Sequence, residues 1–227
     1  MAQTFRRYEK KYLLDENQYR QIKEYLSKYT KSDKFFKSKV NSIYYDTDTF
    51  ELIRRSIEKP EYKEKLRIRT YSDINADDKV YVEFKKKLDG IVYKRRTKAI
   101  YKDVLNDIYT CEFKDKQIGN EIRYALNYYD KLSPKVFISC QRASFVGIED
   151  ENLRITFDEN LLYRMNDLSL SNSNNDKSIT DKVVMELKVA GSIPLWLSKI
   201  LDDTKVYPRG FSKVGTAFLK RMEKAYE

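Results

Sequence analysis

The sequence predicts an α+β protein: antiparallel strands with one apolar and one charged face, packed by amphipathic helices. Two observations lead there. In "EKLRIRTYSD" (64–73), Lys65, Arg67 and Arg69 alternate with Leu66, Ile68 and Thr70, the period-2 pattern of a strand with one wet and one dry face. The same alternation recurs along most of the chain, interrupted by segments of helical period. In a two-sheet sandwich the apolar faces would meet and the charges point out. In a closed antiparallel barrel the apolar outside would be covered by the helices and the charges would line the inside, leaving no exposed edges. The barrel is the more economical arrangement because the helices need apolar partners, but alternation by itself leaves both open.

The elements follow in order. "RRYEKKYLL" sets Arg7, Glu9 and Lys11 against Tyr8, Tyr12 and Leu14. Residues 15–29 form a helix, with Asp15 as N-cap, Gln18 in the capping-box position and Ile22, Tyr25, Leu26 and Tyr29 as its apolar stripe. "KVNSIYYDT" is a strand leading to a turn. In "VYVEFKKK", Tyr81, Glu83, Lys85 and Lys87 oppose Val80, Val82 and Phe84; "VYKRRTKAI" places Lys94, Arg96 and Lys98 on one face. Residues 119–132 read as a helix through Ile122, Leu126 and Tyr129. "VFISCQRASF" aligns Cys140, Arg142 and Ser144, and "NLRITFDE" aligns Arg154, Thr156 and Asp158. "SLSNSNNDKS" (169–178), poor in apolar residues, is expected to be a mobile surface loop. Strand patterns flank it, so it reads as an insertion, and residues 1–227 as a single domain. "VVMELKV" sets Glu186 and Lys188 against Val183, Met185, Leu187 and Val189. A short helix follows Pro194, and the last helix, 212–227, carries Val214, Phe218, Met222 and Ala225.

Composition narrows the chemistry. The 227 residues hold 45 Lys and Arg against 35 Asp and Glu, a net charge of +10 that suits an anionic partner without choosing one. With no histidine, Ser-His-Asp and Cys-His catalysis and histidine-ligated zinc are excluded. Cys111 and Cys140 have no metal-ligand spacing and read as free buried thiols. The N-terminal segment lacks the apolar core of a signal peptide, and no stretch nears the ~18–20 apolar residues of a membrane span. A soluble, cytoplasmic protein is expected.

The strands together resemble the triphosphate tunnel fold of the CYTH-like superfamily, and within it the VTC domain of polyphosphate polymerases. The resemblance covers nearly the whole chain. It is carried by "RRYEKKYLL", "SIYYDT", "KLRIRTY", "VYVEFKKK", "SCQRASF", "LRITFDENL", "VVMELKV" and "YPRGFSKVGTAF", in that order. It implies a closed barrel whose charged interior binds a nucleoside triphosphate and a phosphate chain with Mn²⁺ or Mg²⁺. By motif it places phosphate contacts at Lys11, Arg67, Arg69, Lys85, Lys94, Arg142, Arg154, Ser212 and Lys213, and the metal at Glu186. Glu9, Glu83, Asp158 and Lys188 would support these groups from behind, the three carboxylates serving alternatively as ion-pair partners that keep the empty cations from repelling one another. Ser212 is equally suited to cap the last helix. The chain departs from the hydrolase pattern Glu-x-Glu-x-Lys, having Arg7-x-Glu9-x-Lys11, which favours the polymerase branch. Two family cations fall on Ser56 and Gly210, where Arg55 and Arg209 are the neighbouring substitutes.

The implied activity is metal-dependent transfer of the ATP γ-phosphate to a growing polyphosphate chain. Hydrolysis of a triphosphate and non-catalytic polyphosphate binding are the alternatives. Same-face residues of a strand lie roughly 6.5–7 Å apart, so Arg67 and Arg69 could engage successive phosphoryl groups, and arginine binds phosphate bidentately. No side chain has the setting of a covalent nucleophile. The partners implied are ATP and polyphosphate or another triphosphate, without nucleic acid; a membrane partner is not encoded.

Overall fold

The computed structural model describes residues 8–58, 60–89, 91–129 and 131–225; Arg7 lies outside these. The strands are β1 (Tyr8–Leu14), β2 (Thr30–Asp46), β3 (Tyr62–Thr70), β4 (Lys79–Leu88), β5 (Ile91–Ile100), β6 (Ser133–Gly147), β7 (Arg154–Arg164), β8 (Lys177–Ser178) and β9 (Val183–Val189). The helices are α1 (Glu16–Leu26), α2 (Glu51–Glu58), α3 (Tyr101–Asn106), α4 (Lys116–Tyr128), α5 (Leu195–Asp203) and α6 (Lys213–Ala225).

The nine strands form one antiparallel sheet in the order β1-β9-β7-β6-β2-β3-β4-β5, with β8 on β7. The expected closed barrel is therefore corrected. The path ends at β1, which neighbours β9, and at β5, which neighbours β4, and among the described residues these ends do not pair. Alternation dictates which face of a strand is apolar; closure depends on tilt and stagger, which a period-2 pattern does not encode. Each terminal strand manages its edge locally. Lys94, Arg95 and Arg96 on β5 are exposed, the charged edge that discourages further pairing. On β1, the Arg209 amide donates to the Lys11 carbonyl at 2.8 Å.

The chain divides into two compact units, and β2, β6 and β7 contribute residues to both. In the first (8–38, 140–161, 180–211), Tyr12 and Leu14 of β1, Ile155 and Phe157 of β7 and Met185 and Leu187 of β9 pack with Ile22 and Leu26 of α1 and Leu197 of α5. Helix α1 opens as expected: Asp15 accepts from the Gln18 amide at 2.8 Å, and the Gln18 side chain accepts from the Asp15 amide at 3.0 Å. In the second (39–139, 162–179, 212–225), Ile43, Leu66, Ile68, Val80, Val82 and Phe84 meet Ile122, Ala125 and Leu126 of α4.

Helix α4 starts three residues before its expected position because Asp115 caps it, accepting from the Ile118 amide at 2.9 Å. Two helices escaped the pattern. Helix α2 is capped from a distance: Asp46, at the end of β2, accepts from the Leu52 and Ile53 amides at 2.9 and 2.8 Å. Helix α3, of 6 residues, is too short to show a period. The 169–178 segment contains a buried anchor, Leu170, whose amide donates to the Tyr101 hydroxyl and whose carbonyl accepts from Asn41, both at 2.7 Å.

Candidate functional site

Strand register builds the site in the second unit. Tyr44, Arg67, Glu83 and Arg96 lie in one row across β2, β3, β4 and β5; Ser42, Arg69, Tyr81 and Lys98 form the next. Lys65, Lys85 and Lys94 make a third row across β3, β4 and β5. Directly paired residues project from the same side of a sheet. Neighbouring positions such as Ile43, Ile68 and Val82 project from the other and fill the core. One face thus carries Lys65, Arg67, Arg69, Lys85, Lys94, Arg96 and Lys98 around the Glu83 carboxylate.

Glu83 is 1% exposed and organises these cations. Its Oε2 accepts from Arg67 Nε at 2.8 Å and lies 2.6 Å from Arg67 Nη2 and 3.9 Å from Arg69 Nη1. Its Oε1 lies 2.6 Å from Lys94 Nζ and 3.0 Å from Arg96 Nε, close enough for charge pairing although off the angles of a hydrogen bond. Burial would raise the Glu83 pKa, but Arg67, Arg69 and Lys94 outweigh it and hold the carboxyl well below the ordinary range. Arg69 has the opposite balance: burial and the neighbouring Arg67 lower its pKa despite Glu83, while its Nε donates to Ser42 Oγ at 2.9 Å. Arg96 stacks 3.7 Å from the Tyr81 ring centre and donates to the Tyr71 hydroxyl at 2.7 Å. These contacts hold the cations in place through protein groups.

Ser212 caps α6, its Oγ accepting from the Gly215 amide at 3.2 Å, and it also accepts from Lys65 Nζ at 3.1 Å. The cap is thereby tied to the cation-bearing face of β3, with Lys213 the first residue of the helix.

In the first unit, Glu9, Lys188 and Arg154 form one row across β1, β9 and β7, and Lys11, Glu186 and Thr156 the next. Lys188 Nζ lies 2.7 Å from Glu186 Oε1, and Lys11 Nζ lies 3.6 Å from Glu9 and donates to the Phe211 carbonyl at 3.1 Å. Arg142 donates to both oxygens of fully buried Asp158 at 2.6 and 2.7 Å. Burial opposes the Arg142 charge, and Asp158 more than restores it. Arg154 donates to Asp33 at 2.6 Å.

Arg67, Arg69, Lys85 and Lys94 thus share a face with Glu83, and Ser212 is joined to it through Lys65. Lys11, Arg142, Arg154, Glu186, Glu9, Asp158 and Lys188 belong to the first unit. Arg55 is held by Glu51 at 2.7 Å one helical turn away on α2. Lys65, Arg96 and Tyr44 are additional members of the second-unit group. Lys65 and Arg96 carry the same period-2 signal as the residues selected by motif. Tyr44 is signalled only by its parity with Ser42 in "SIYYDT".

Residues 6–220 match the VTC domain family. The chain belongs to that family. No curated protein matches it. Among solved structures, this VTC domain is similar to a candidate adenylate cyclase from Bacillus halodurans, at 15% identity and a TM-score of 0.55, covering 90% of this chain and 92% of that one. It is also similar to a protein of Pyrococcus horikoshii OT3, at 12% identity and a TM-score of 0.50, covering 95% and 99%. At such identities the likeness is one of fold.

Glu186, the carboxylate the resemblance assigns to a metal, is paired with Lys188 at 2.7 Å. Across from it, Thr156 Oγ1 is buried without a hydrogen-bond partner among the described residues. Those residues contain no cluster of three acidic or thiol side chains that could cage a metal. A carboxylate and a hydroxyl suit a small hard cation that completes its shell with water and phosphate oxygens, as Mg²⁺ commonly does. Both cysteines are free and buried, and burial pushes the Cys111 thiol up to about 11. No described helix is long and apolar enough to cross a membrane.

Proposed function

We propose that this VTC domain is an ATP-dependent phosphotransferase that extends polyphosphate. The observation that supports this reading is the convergence of Arg67, Arg69, Lys94 and Arg96 on buried Glu83. A carboxylate shared among so many cations leaves the group strongly positive and pre-arranged for an anion of several charges, and phosphoryl transfer depends chiefly on positioning and charge stabilisation. Lys65 and Ser212 extend the group toward the start of α6.

In the proposed reaction a terminal oxygen of the acceptor chain attacks the γ-phosphorus of ATP. The bond from that phosphorus to the β–γ bridging oxygen breaks, leaving ADP and a chain one unit longer. Arg67 and Arg69 orient the phosphoryl groups and take up charge on the equatorial oxygens. In the first unit, Glu186 with Thr156 opposite it would hold Mg²⁺ or Mn²⁺, which would supply a Lewis-acidic charge for phosphate oxygens there. A reactive thiolate is not required, in keeping with the burial of Cys111 and Cys140.

The test is to incubate purified protein with ATP and Mn²⁺ or Mg²⁺ and resolve the products by electrophoresis and phosphate assay. Phosphate chains formed with one ADP per unit support the polymerase. Free phosphate as the sole product would assign the site to hydrolysis, and absence of turnover with retained polyphosphate binding would assign it to a binding module.

A further inference from the structure

Tyr44 lies on β2 opposite Arg67 and is 7% exposed. Its phenolic oxygen accepts from Arg67 Nη1 at 2.8 Å, while Arg67 Nε and Nη2 are held on Glu83 at 2.8 and 2.6 Å. All three guanidinium nitrogens are therefore engaged by protein. The charged groups facing the phenol are Lys65, Arg67 and Arg69 of β3, with Glu83 of β4 behind Arg67; Ser212, at the start of α6, accepts from Lys65. An oxygen that accepts from arginine needs no proton of its own for that bond, and ionisation strengthens the bond. Burial resists a charge on Tyr44, but Arg67, Arg69 and Lys65 outweigh burial and bring the phenol down to about 7.

We infer that Tyr44 is a positioning residue whose phenolic oxygen aims Arg67 and balances the cations until a phosphate chain arrives, when that oxygen takes up a proton from solvent. The inference rests on the phosphate-binding reading of the same cations. A bound chain would bring its own negative charge to Lys65, Arg67 and Arg69, removing the field that favours the ionised phenol. No covalent bond is made or broken; one proton moves from solvent to Tyr44.

The experiment combines ultraviolet difference titration with calorimetry, using inorganic tripolyphosphate in buffers of contrasting ionisation enthalpy, on wild type and Tyr44→Phe. Free wild type should show a tyrosinate with a midpoint near 7 that the variant lacks. Above that pH, wild-type binding should take up an additional proton, and its affinity should fall about tenfold more per pH unit than the variant's. If wild type binds tripolyphosphate with the variant's proton count, this inference is overturned and the phosphate-binding reading survives. If wild type does not bind it, that reading is overturned and the inference with it. Should the variant not fold, the wild-type midpoint decides: a midpoint that saturating tripolyphosphate leaves in place overturns the proposal.

Discussion

At Glu83, a carboxylate that water barely reaches is matched by several cations, none of which it satisfies alone. Removing one member of a buried charge group costs more than the group contributes as a whole, because the partners stay buried and mutually repulsive. Glu83→Gln is therefore expected to destabilise the protein by about 3–5 kcal/mol in urea unfolding near neutral pH. Tripolyphosphate should restore part of the loss by supplying the missing negative charge. The depressed Glu83 pKa also sets the acid response. A carboxyl with a lowered folded-state pKa contributes stability that is fully present above its unfolded value of about 4.3 and is lost as pH falls toward the folded value. Wild type should thus lose stability steeply below about pH 4, and Glu83→Gln should flatten that limb of a pH–stability curve. An unchanged limb would mean that other carboxylates dominate acid unfolding.

Two segments depend on single polar residues that lie outside them. Asp46 supplies acceptors to the first turn of α2, so Asp46→Ala should cost about 1–2 kcal/mol and speed hydrogen exchange at Leu52 and Ile53 in particular. Arg164 on β7 is nearly buried and donates to Asp176 at 2.6 Å and to the carbonyls of Asp167, Ser169 and Ser171 at 2.8–3.0 Å, with its guanidinium 3.9 Å from the Phe137 ring centre. Arg164→Met leaves those acceptors without their donor. Exchange of amides in 169–176 should rise about tenfold or more, measured by mass spectrometry, while amides of α1 stay protected. Uniform acceleration across the protein would show that Arg164 supports the fold at large. The Ser and Asn content of 169–178 predicts a mobile loop, and the same exchange measurement on wild type tests it: slow exchange there would show that Arg164 holds the segment.

For the whole molecule, the net charge of +10 implies that anion binding weakens with salt. Affinity for tripolyphosphate should drop by at least about tenfold between roughly 0.05 and 0.5 M salt, by calorimetry, as screening shortens the reach of the surrounding cations. Affinity independent of salt would confine recognition to a few desolvated contacts. The strands, the charged residues that share one side of each strand, the Asp15–Gln18 cap and the family were legible in the sequence because each is written at short range: a period of two, a spacing of three, an ordered set of motifs. The open strand order was not, because pairing at the ends of the sheet depends on stagger and on what covers an edge. Nor was the role of Tyr44, since a phenol's charge state depends on residues from another strand. Local chemistry and periodicity determined what this chain is made of and which side of each strand is charged. Only tertiary structure decided that Arg67, Arg69, Lys94 and Arg96 meet on one buried carboxylate, because register joins residues that the sequence keeps far apart.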